Sequence, residues 1–410
     1  MARVDAFLEE LFAESPDGDL RLDSVVSEQS SLRVTFSSGR LGEVALRLAP
    51  AGSCVPCYAR IPGFDVVTLR EPPAGLEAAA DECIHRVLST IAAAGFEPTA
   101  EEWRDSFGAP DDRFVFGDVA EVKITHACDQ RCVFCKSPPN VANLVDVDEA
   151  LEVVERLADR ARLLTLSGGE PTLSARLAEV VRRASRAGFA EIEIQSNGMN
   201  LEDPRLVEEL VEAGAGIALV SLHAGDADLS DALTATPGGF ERTLRGIDRC
   251  LEAGMSVSLC HVICRGNVHA LPLFGSFVRR RFEGRRLHVA FTLSLPNYRV
   301  RSNPGLMPPL TQVAPALSET LASFEPARGT SGGAGGRHVA SVMHGCGLPL
   351  CVLGELAVYH DEYHEPSSTD PTEERVHLAQ CGECSFRDRC SGLWRTYLSL
   401  YGDAGISPVS

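Results

Sequence analysis

The chain has 410 residues, 44% hydrophobic and 23% charged, a composition ordinary for a soluble globular protein and long enough for two or three domains. Thirty-eight basic against fifty-seven acidic side chains leave a formal charge of -19, which argues against nucleic acid or an anionic membrane surface as partner but allows a basic peptide. No apolar run approaches the roughly 20 residues of a membrane span, and the acidic, amphipathic start MARVDAFLEELFAESPDGD is not a signal peptide, so the expected location is cytoplasmic.

In chain order, residues 1–112 mix a short amphipathic helix with alternating segments such as LRVTFSSGRLGEVALRL, a predicted hairpin around Ser37-Ser38-Gly39, and a helix near Leu76–Gly95. This reads as a small α+β domain, bounded by the loop GAPDDR at 108–113. From 117 to 320 short apolar runs alternate with amphipathic helical stretches: EVKIT, DEALEVVERLADRA, LLTLSGG, ARLAEVVRRASRAG, EIEIQSNG, PRLVEELVEAG, GIALVSLHA and onward to HVAFTLSL. Such repetition predicts an α/β fold, a parallel sheet with crossover helices that is either open or a (β/α) barrel. Helices ending at Ala187-Gly188, Ala213-Gly214 and Ala253-Gly254 fit a glycine cap before each new strand. The stretch EPARGTSGGAGGRHVA at 325–340 reads as a linker or mobile loop, and a cysteine-rich tail follows it.

Fourteen cysteines in a reducing compartment are read as metal ligands first and buried thiols second. After the first strand of the central region, THACDQRCVFCKSPP carries Cys128, Cys132 and Cys135 in the spacing C-x3-C-x2-C. Three closely spaced thiolates suit three irons of a 4Fe-4S cube and leave the fourth iron open to a chelating ligand. Zinc is the competing reading, with His126 nearby as a further donor. At this point the sequence resembles the radical SAM superfamily, whose motif is C-x3-C-x-(aromatic)-C; Phe134 stands at the aromatic position, where the resemblance puts a ring beside the adenine of S-adenosylmethionine (SAM).

Leu166-Ser167-Gly168-Gly169-Glu170-Pro171-Thr172 looks like that family's GGE motif, which implies contact of Gly168, Gly169 and Glu170 with the methionine amino group. Paired glycines let backbone approach a ligand, and a carboxylate pairs with an ammonium. By the same resemblance Ser196 and Ser221 contact the ribose or methionine carboxylate, with Asn197 and His223 as further cofactor contacts. The resemblance covers about 117–300 and implies a partial (β/α)6 TIM-like radical SAM barrel between the α+β N-terminal domain and a Cys-rich C-terminal extension.

The tail, 321–410, carries Cys346 and Cys351, then Cys381-x2-Cys384-x5-Cys390. This run resembles the SPASM and twitch extensions that hold auxiliary 4Fe-4S clusters. Two such clusters would take about eight ligands, and Trp394 stands where the two-cluster pattern has another cysteine, so one auxiliary cluster is expected. Cys381, Cys384 and Cys390 are three of its ligands, and Cys351 or Cys346 is the fourth; a structural zinc is the alternative. Cys54 and Cys57 read as incidental thiols, and Cys83, Cys250, Cys260 and Cys264 as buried small hydrophobes.

These features predict an enzyme that cleaves SAM reductively to a 5′-deoxyadenosyl radical and takes hydrogen from its substrate, with electrons from a flavodoxin- or ferredoxin-like reductant. The favoured substrate is a ribosomally made peptide, crosslinked or oxidised as by a RiPP maturase, with 1–112 holding the leader. The alternatives are dehydrogenation or epimerisation of a small sugar or aminoglycoside-like molecule and, in another class, a non-enzymatic iron–sulfur or zinc scaffold.

Overall fold

The computed structural model describes residues 3–13, 20–28, 31–38, 42–50, 59–61, 64–68, 77–95, 115–116, 118–135, 145, 147–294, 300, 303–326, 338–343, 347–364 and 375–409. Near the N-terminus lie helix α1 (Val4–Ala13) and strands β1 (Leu20–Glu28), β2 (Ser31–Ser38), β3 (Gly42–Pro50), β4 (Ala59–Ile61) and β5 (Phe64–Thr68), then helix α2 (Glu77–Ala93). The strands form an antiparallel sheet in the order β1-β2-β3-β5-β4. Alternation turns Leu32, Val34 and Phe36 of β2 and Leu46 and Leu48 of β3 to one face, where Val4 and Leu8 of α1 and Val87 and Ile91 of α2 complete a separate core. The predicted hairpin is the β2–β3 pair, with Ser38 opposite Gly42.

The central region begins with β6 (Val115–Phe116) and β7 (Val119–Thr125), followed by α3 (Val147–Leu157), β8 (Leu163–Gly168), α4 (Leu177–Ala187), β9 (Glu191–Ser196) and α5 (Pro204–Ala213). It continues through β10 (Ile217–Ser221), α6 (Ala227–Thr234), α7 (Gly239–Glu252), β11 (Ser256–Ile263), α8 (Leu271–Arg281), β12 (Leu287–Leu293), α9 (Leu310–Leu321), β13 (Glu325–Pro326) and β14 (His338–Val342). Strands β7 to β12 lie side by side in chain order and all parallel; β14 and β13 extend the sheet in parallel beyond β12, and β6 runs antiparallel at the other edge. This is the α/β architecture of a partial TIM-like barrel, as expected.

The sheet runs past residue 320. Within the stretch expected to be linker, Glu325–Pro326 and His338–Val342 are strands, and His338 to Val342 pair with Leu287 to Phe291 of β12. The glycine-rich composition hid a short run, HVASV, that β12 recruits. Residues 327–337 of that stretch fall outside the described residues.

One face of the parallel sheet is apolar and covered by helices: Val122 and Ile124, Leu164 and Leu166, Ile192 and Ile194, and Leu259 belong to the main core. The other face is polar. Alternation places Glu121 and Lys123 of β7, Thr165 and Ser167 of β8, and Glu193 and Gln195 of β9 on it. Neighbouring strands are linked there through side chains: Ser167 Oγ donates to Glu121 at 2.6 Å and Thr165 Oγ1 to Glu193 at 2.9 Å. His288 of β12 lies within hydrogen-bond distance of Ser258 on β11 (3.2 Å) and of Ser341 on β14 (3.1 Å).

The tail docks on the core through tyrosines of the helix Arg395–Tyr401. Tyr397 Oη accepts the Leu310 N–H at 2.9 Å, and Tyr401 Oη donates to the Met307 carbonyl at 2.8 Å while accepting from Arg265 at 2.6 Å.

Burial, reinforced by the charges of Glu121 and Glu191 and opposed by the Thr165 bond, raises the Glu193 pKa from 4.5 to about 7. A raised carboxyl pKa means that folding favours the protonated form, so its stabilising contribution is complete below about pH 4.5 and is lost as pH climbs through about 7. Chemical denaturation at pH 5 and pH 7.5 should therefore show a loss of about 2–3 kcal/mol in the parent that is largely absent in Glu193→Gln; equal losses in both proteins would refute this assignment.

Candidate functional site

The three motif cysteines sit on the loop that leaves the C-terminal end of β7, where parallel barrels collect reactive groups. All three are half-buried. The loop is docked at its middle: Arg131 and Val133 donate their N–H groups to the carbonyls of Thr234 and Leu233 at the end of α6, both at 2.9 Å. Within it, Gln130 donates its N–H to Cys128 Sγ (3.5 Å) and accepts from Cys132 Sγ (3.4 Å). Burial raises the Cys128 pKa to about 12; the Gln130 N–H opposes this, while Glu170, Cys135 and Asp129 reinforce it. A bound cation would reverse that balance, because thiolates crowded together become favourable once they face positive charge.

Behind the loop stands Glu170, with no exposed surface. Its Oε1 accepts from Thr172 N (3.1 Å), Thr172 Oγ1 (2.6 Å) and Ser196 Oγ (2.7 Å), and its Oε2 from Asn197 N (2.6 Å). Asn197 then donates from Nδ2 to Asp129 of the cysteine loop at 2.6 Å. One carboxylate thus joins the ends of β8 and β9, and Asn197 carries the connection on to the loop after β7. Burial raises the Glu170 pKa, and the hydrogen bonds from Asn197, Thr172 and Ser196 pull it back.

This geometry shows what the GGE segment holds together within the chain. The Glu170 carboxylate faces donors of its own chain and ties the site together. The glycines serve backbone packing: a β-carbon on Gly168 would stand 2.1 Å from the Thr125 carbonyl oxygen, and one on Gly169 would stand 2.2 Å from that of Ala127 and 2.4 Å from that of His126. Gly169 N donates to Thr125 O (2.8 Å) and Glu170 N to Ala127 O (2.7 Å), so the segment is laid directly against the backbone entering the cysteine loop.

Phe134 is buried, with its ring edge-on to His223 at 4.7 Å between centroids. His223 is buried as well, and burial lowers its pKa to about 3, so the ring is neutral. Its Nδ1 accepts the Val262 N–H at 3.2 Å, which leaves the ring proton on Nε2. Ser221 is half-buried at the end of β10, level with Cys260 of β11. Cys83, Cys250, Cys260 and Cys264 are buried, as expected of small hydrophobes. The structure thus gathers Cys128, Cys132, Cys135, Phe134, Gly168, Gly169, Glu170, Ser196, Asn197, Ser221 and His223 around the C-terminal ends of β7 to β10. Sequence reading missed Asp129, Thr172 and Asn267; Asn267 donates to the carbonyls of His223 (3.0 Å) and Val262 (2.9 Å) and so fixes the turn carrying His223. Asp129 and Thr172 lie inside the motifs themselves, but only the fold shows what they bind.

A second site lies in the tail. Cys351, Cys381, Cys384 and Cys390 line one cavity together with His377, Phe386 and Ile406. Burial, followed by the neighbouring Cys390, Cys384 and Cys381, pushes the Cys351 thiol up to about 11, which marks the four as electrostatic neighbours. Among the described residues no three His, Cys, Asp or Glu side chains stand close enough to hold a single metal ion. Cys346, Cys54 and Cys57 fall outside the described residues. Trp394 packs structurally, with the Arg375 guanidinium 4.3 Å from its ring centroid and the indole against Gly347.

If close backbone approach is what Gly169 provides, Gly169→Ala should destabilise the core by about 1–3 kcal/mol in urea unfolding and lower iron binding at the Cys128 loop while leaving the tail site unchanged. An unaltered unfolding midpoint would show that the loop absorbs the methyl group.

Residues 122–269 match the Radical SAM superfamily. Among curated relatives, a probable GTP 3′,8-cyclase of Saccharolobus solfataricus is 31% identical over 150 residues, 36% of this chain and 48% of the relative. An AdoMet-dependent heme synthase of Methanosarcina barkeri is 31% identical over 153 residues, 36% of this chain and 43% of the relative. The chain thus spans about half the length of the curated relatives it matches. Among solved structures, Streptococcus suis SuiB bound to precursor peptide SuiA aligns with a TM-score of 0.41 at 12% identity, covering 73% of this chain and 70% of that one. No helix among the described residues is long and apolar enough to cross a membrane. The three-cysteine loop and the Glu170 arch behind it lie within residues 122–269, the stretch that matches the Radical SAM superfamily.

Proposed function

We propose that this protein is a radical SAM enzyme that removes hydrogen from a peptide, crosslinking or oxidising it, with one auxiliary iron–sulfur centre in its tail. The observation that carries the core of this reading is the loop of three half-buried thiols braced by Glu170 and Asn197 at the mouth of a parallel barrel. Cys128, Cys132 and Cys135 would hold a 4Fe-4S cluster, which would supply radical chemistry from SAM when reduced by one electron from an external flavodoxin- or ferredoxin-like protein.

The chain's own part is placement and exclusion of water. The edge-to-face Phe134 and His223 rings wall the site beside the loop. The proton on His223 Nε2 makes that residue a neutral donor to a polar group of SAM, and Ser221 offers a hydroxyl from the next position along the rim. Gly168 and Gly169 keep the rim of β8 against the loop, and the Glu170 arch keeps Ser196 and Asn197 in register with it. In the tail, the cavity lined by four thiols fits a centre that takes up the electron left on an oxidised substrate.

The peptide reading is supported by the N-terminal sheet, which has its own core and in which β1 pairs only with β2 among the described strands. An edge strand of nine residues is a template for an added strand, the usual way an extended peptide is gripped. A second reading, oxidation or epimerisation of a small sugar or aminoglycoside-like molecule, is favoured by the polar face of the parallel sheet, where Glu121, Glu193, Ser258 and His288 offer partners to hydroxyl or amino groups.

Anaerobic reconstitution tests the proposal. The parent should bind about eight irons and the combined Cys128→Ala, Cys132→Ala, Cys135→Ala protein about four, with 5′-deoxyadenosine formed after dithionite reduction by the parent alone. Absence of SAM cleavage in a reduced, fully loaded parent would sink the central claim. For the substrate, a short precursor peptide encoded beside the gene should bind the parent and be modified. Turnover of polyols with no peptide bound would instead establish the second reading.

A further inference from the structure

His377 shares the tail cavity with the four thiols, yet no motif singles it out. Its Nε2 lies 2.8 Å from the Cys390 carbonyl oxygen. That oxygen only accepts, so Nε2 carries the proton and donates it. In the neutral ring the other nitrogen, Nδ1, is then a bare lone pair. It is buried and has no hydrogen-bond partner among the described residues.

A buried ring nitrogen without a partner is costly unless something in the cavity meets it. The arrangement matches how imidazole binds metals: one nitrogen coordinates while the other donates to a backbone carbonyl that fixes the ring and its tautomer. We propose that the tail centre is held by His377 Nδ1 together with Cys381, Cys384 and Cys390, leaving Cys351 as a thiol beside it. This assignment rests on the reading of the tail as an iron–sulfur site and specifies its ligands.

Two observations favour histidine over Cys351 for the fourth position. The four proposed donors come from one continuous segment, 377–390, whereas Cys351 arrives from the separate short helix Leu350–Leu353. The second is charge. Glu362 is buried next to this site, with Oε2 accepting the Ser391 N–H at 2.9 Å and its charge acting on Cys390. Three thiolates and a neutral imidazole bring one negative charge fewer into that setting than four thiolates would. Replacing cysteine by histidine at an iron–sulfur centre also raises its reduction potential, which suits an electron acceptor.

The test uses full-length protein carrying Cys128→Ala, Cys132→Ala and Cys135→Ala, loaded anaerobically with iron and sulfide so that only the tail centre forms. Pulsed EPR of the reduced centre should show a directly coordinated nitrogen that responds to 15N-histidine labelling and vanishes in His377→Gln. Cys351→Ala should retain both the iron and the nitrogen coupling. In the otherwise unaltered chain, His377→Cys should keep its iron and lower the midpoint potential of the tail centre. About four irons with no coordinated nitrogen, loss of iron in Cys351→Ala, or an unmoved potential in His377→Cys would overturn the assignment while leaving an iron centre in place. No iron in the triple variant would overturn the assignment and the auxiliary centre together.

Discussion

A single buried carboxylate ties together the rim on which the cysteine loop lies. Glu170 takes four hydrogen bonds from Thr172, Ser196 and Asn197, and Asn197 passes the connection to Asp129 between the first two motif cysteines. Removing an ionisable group from water is expensive, and only a full set of donors offsets that cost. Such a set exists only when the ends of β8 and β9 are correctly placed, and Asn197 extends the constraint to the loop after β7. Gly168 and Gly169 make it possible by letting backbone lie directly on backbone.

The polar and apolar faces of the parallel sheet divide the labour. Helices cover the apolar face and supply the core, while the polar face opposite them carries carboxylates, hydroxyls and an imidazole paired across strands. A face so furnished suits a substrate that offers polar groups. It also concentrates titratable groups where burial shifts them: Glu193 is raised and His288 is lowered to about 4. The tail repeats the strategy on a smaller scale, with short irregular segments wrapped around thiols and anchored to α9 through Tyr397.

Much of this was legible in the residues. Strand and helix alternation over 117–320 gave the parallel order of β7 to β12, because period-2 and period-3.6 patterns are local properties of the chain. The cysteine spacings pointed to both thiol clusters for the same reason: residues on one loop are neighbours before folding begins. The glycine-rich 325–340 stretch misled, since composition reports local preference and β14 exists only because β12 offers a free edge. The GGE segment was found by its pattern, and only the fold shows what its glycines and carboxylate pack against within the chain.

The sequence by itself therefore determined the fold class, the two cysteine constellations and the family resemblance of the core, all carried by short-range spacing. Only the tertiary structure decided which way Glu170 faces, which nitrogen of His223 holds its proton, that Cys351 and the Cys381–Cys390 run share a cavity, and that His377 joins them. Those outcomes depend on contacts between residues far apart in the chain, and the orientation of a buried polar group is set by whichever distant donors and acceptors surround it once water has been excluded.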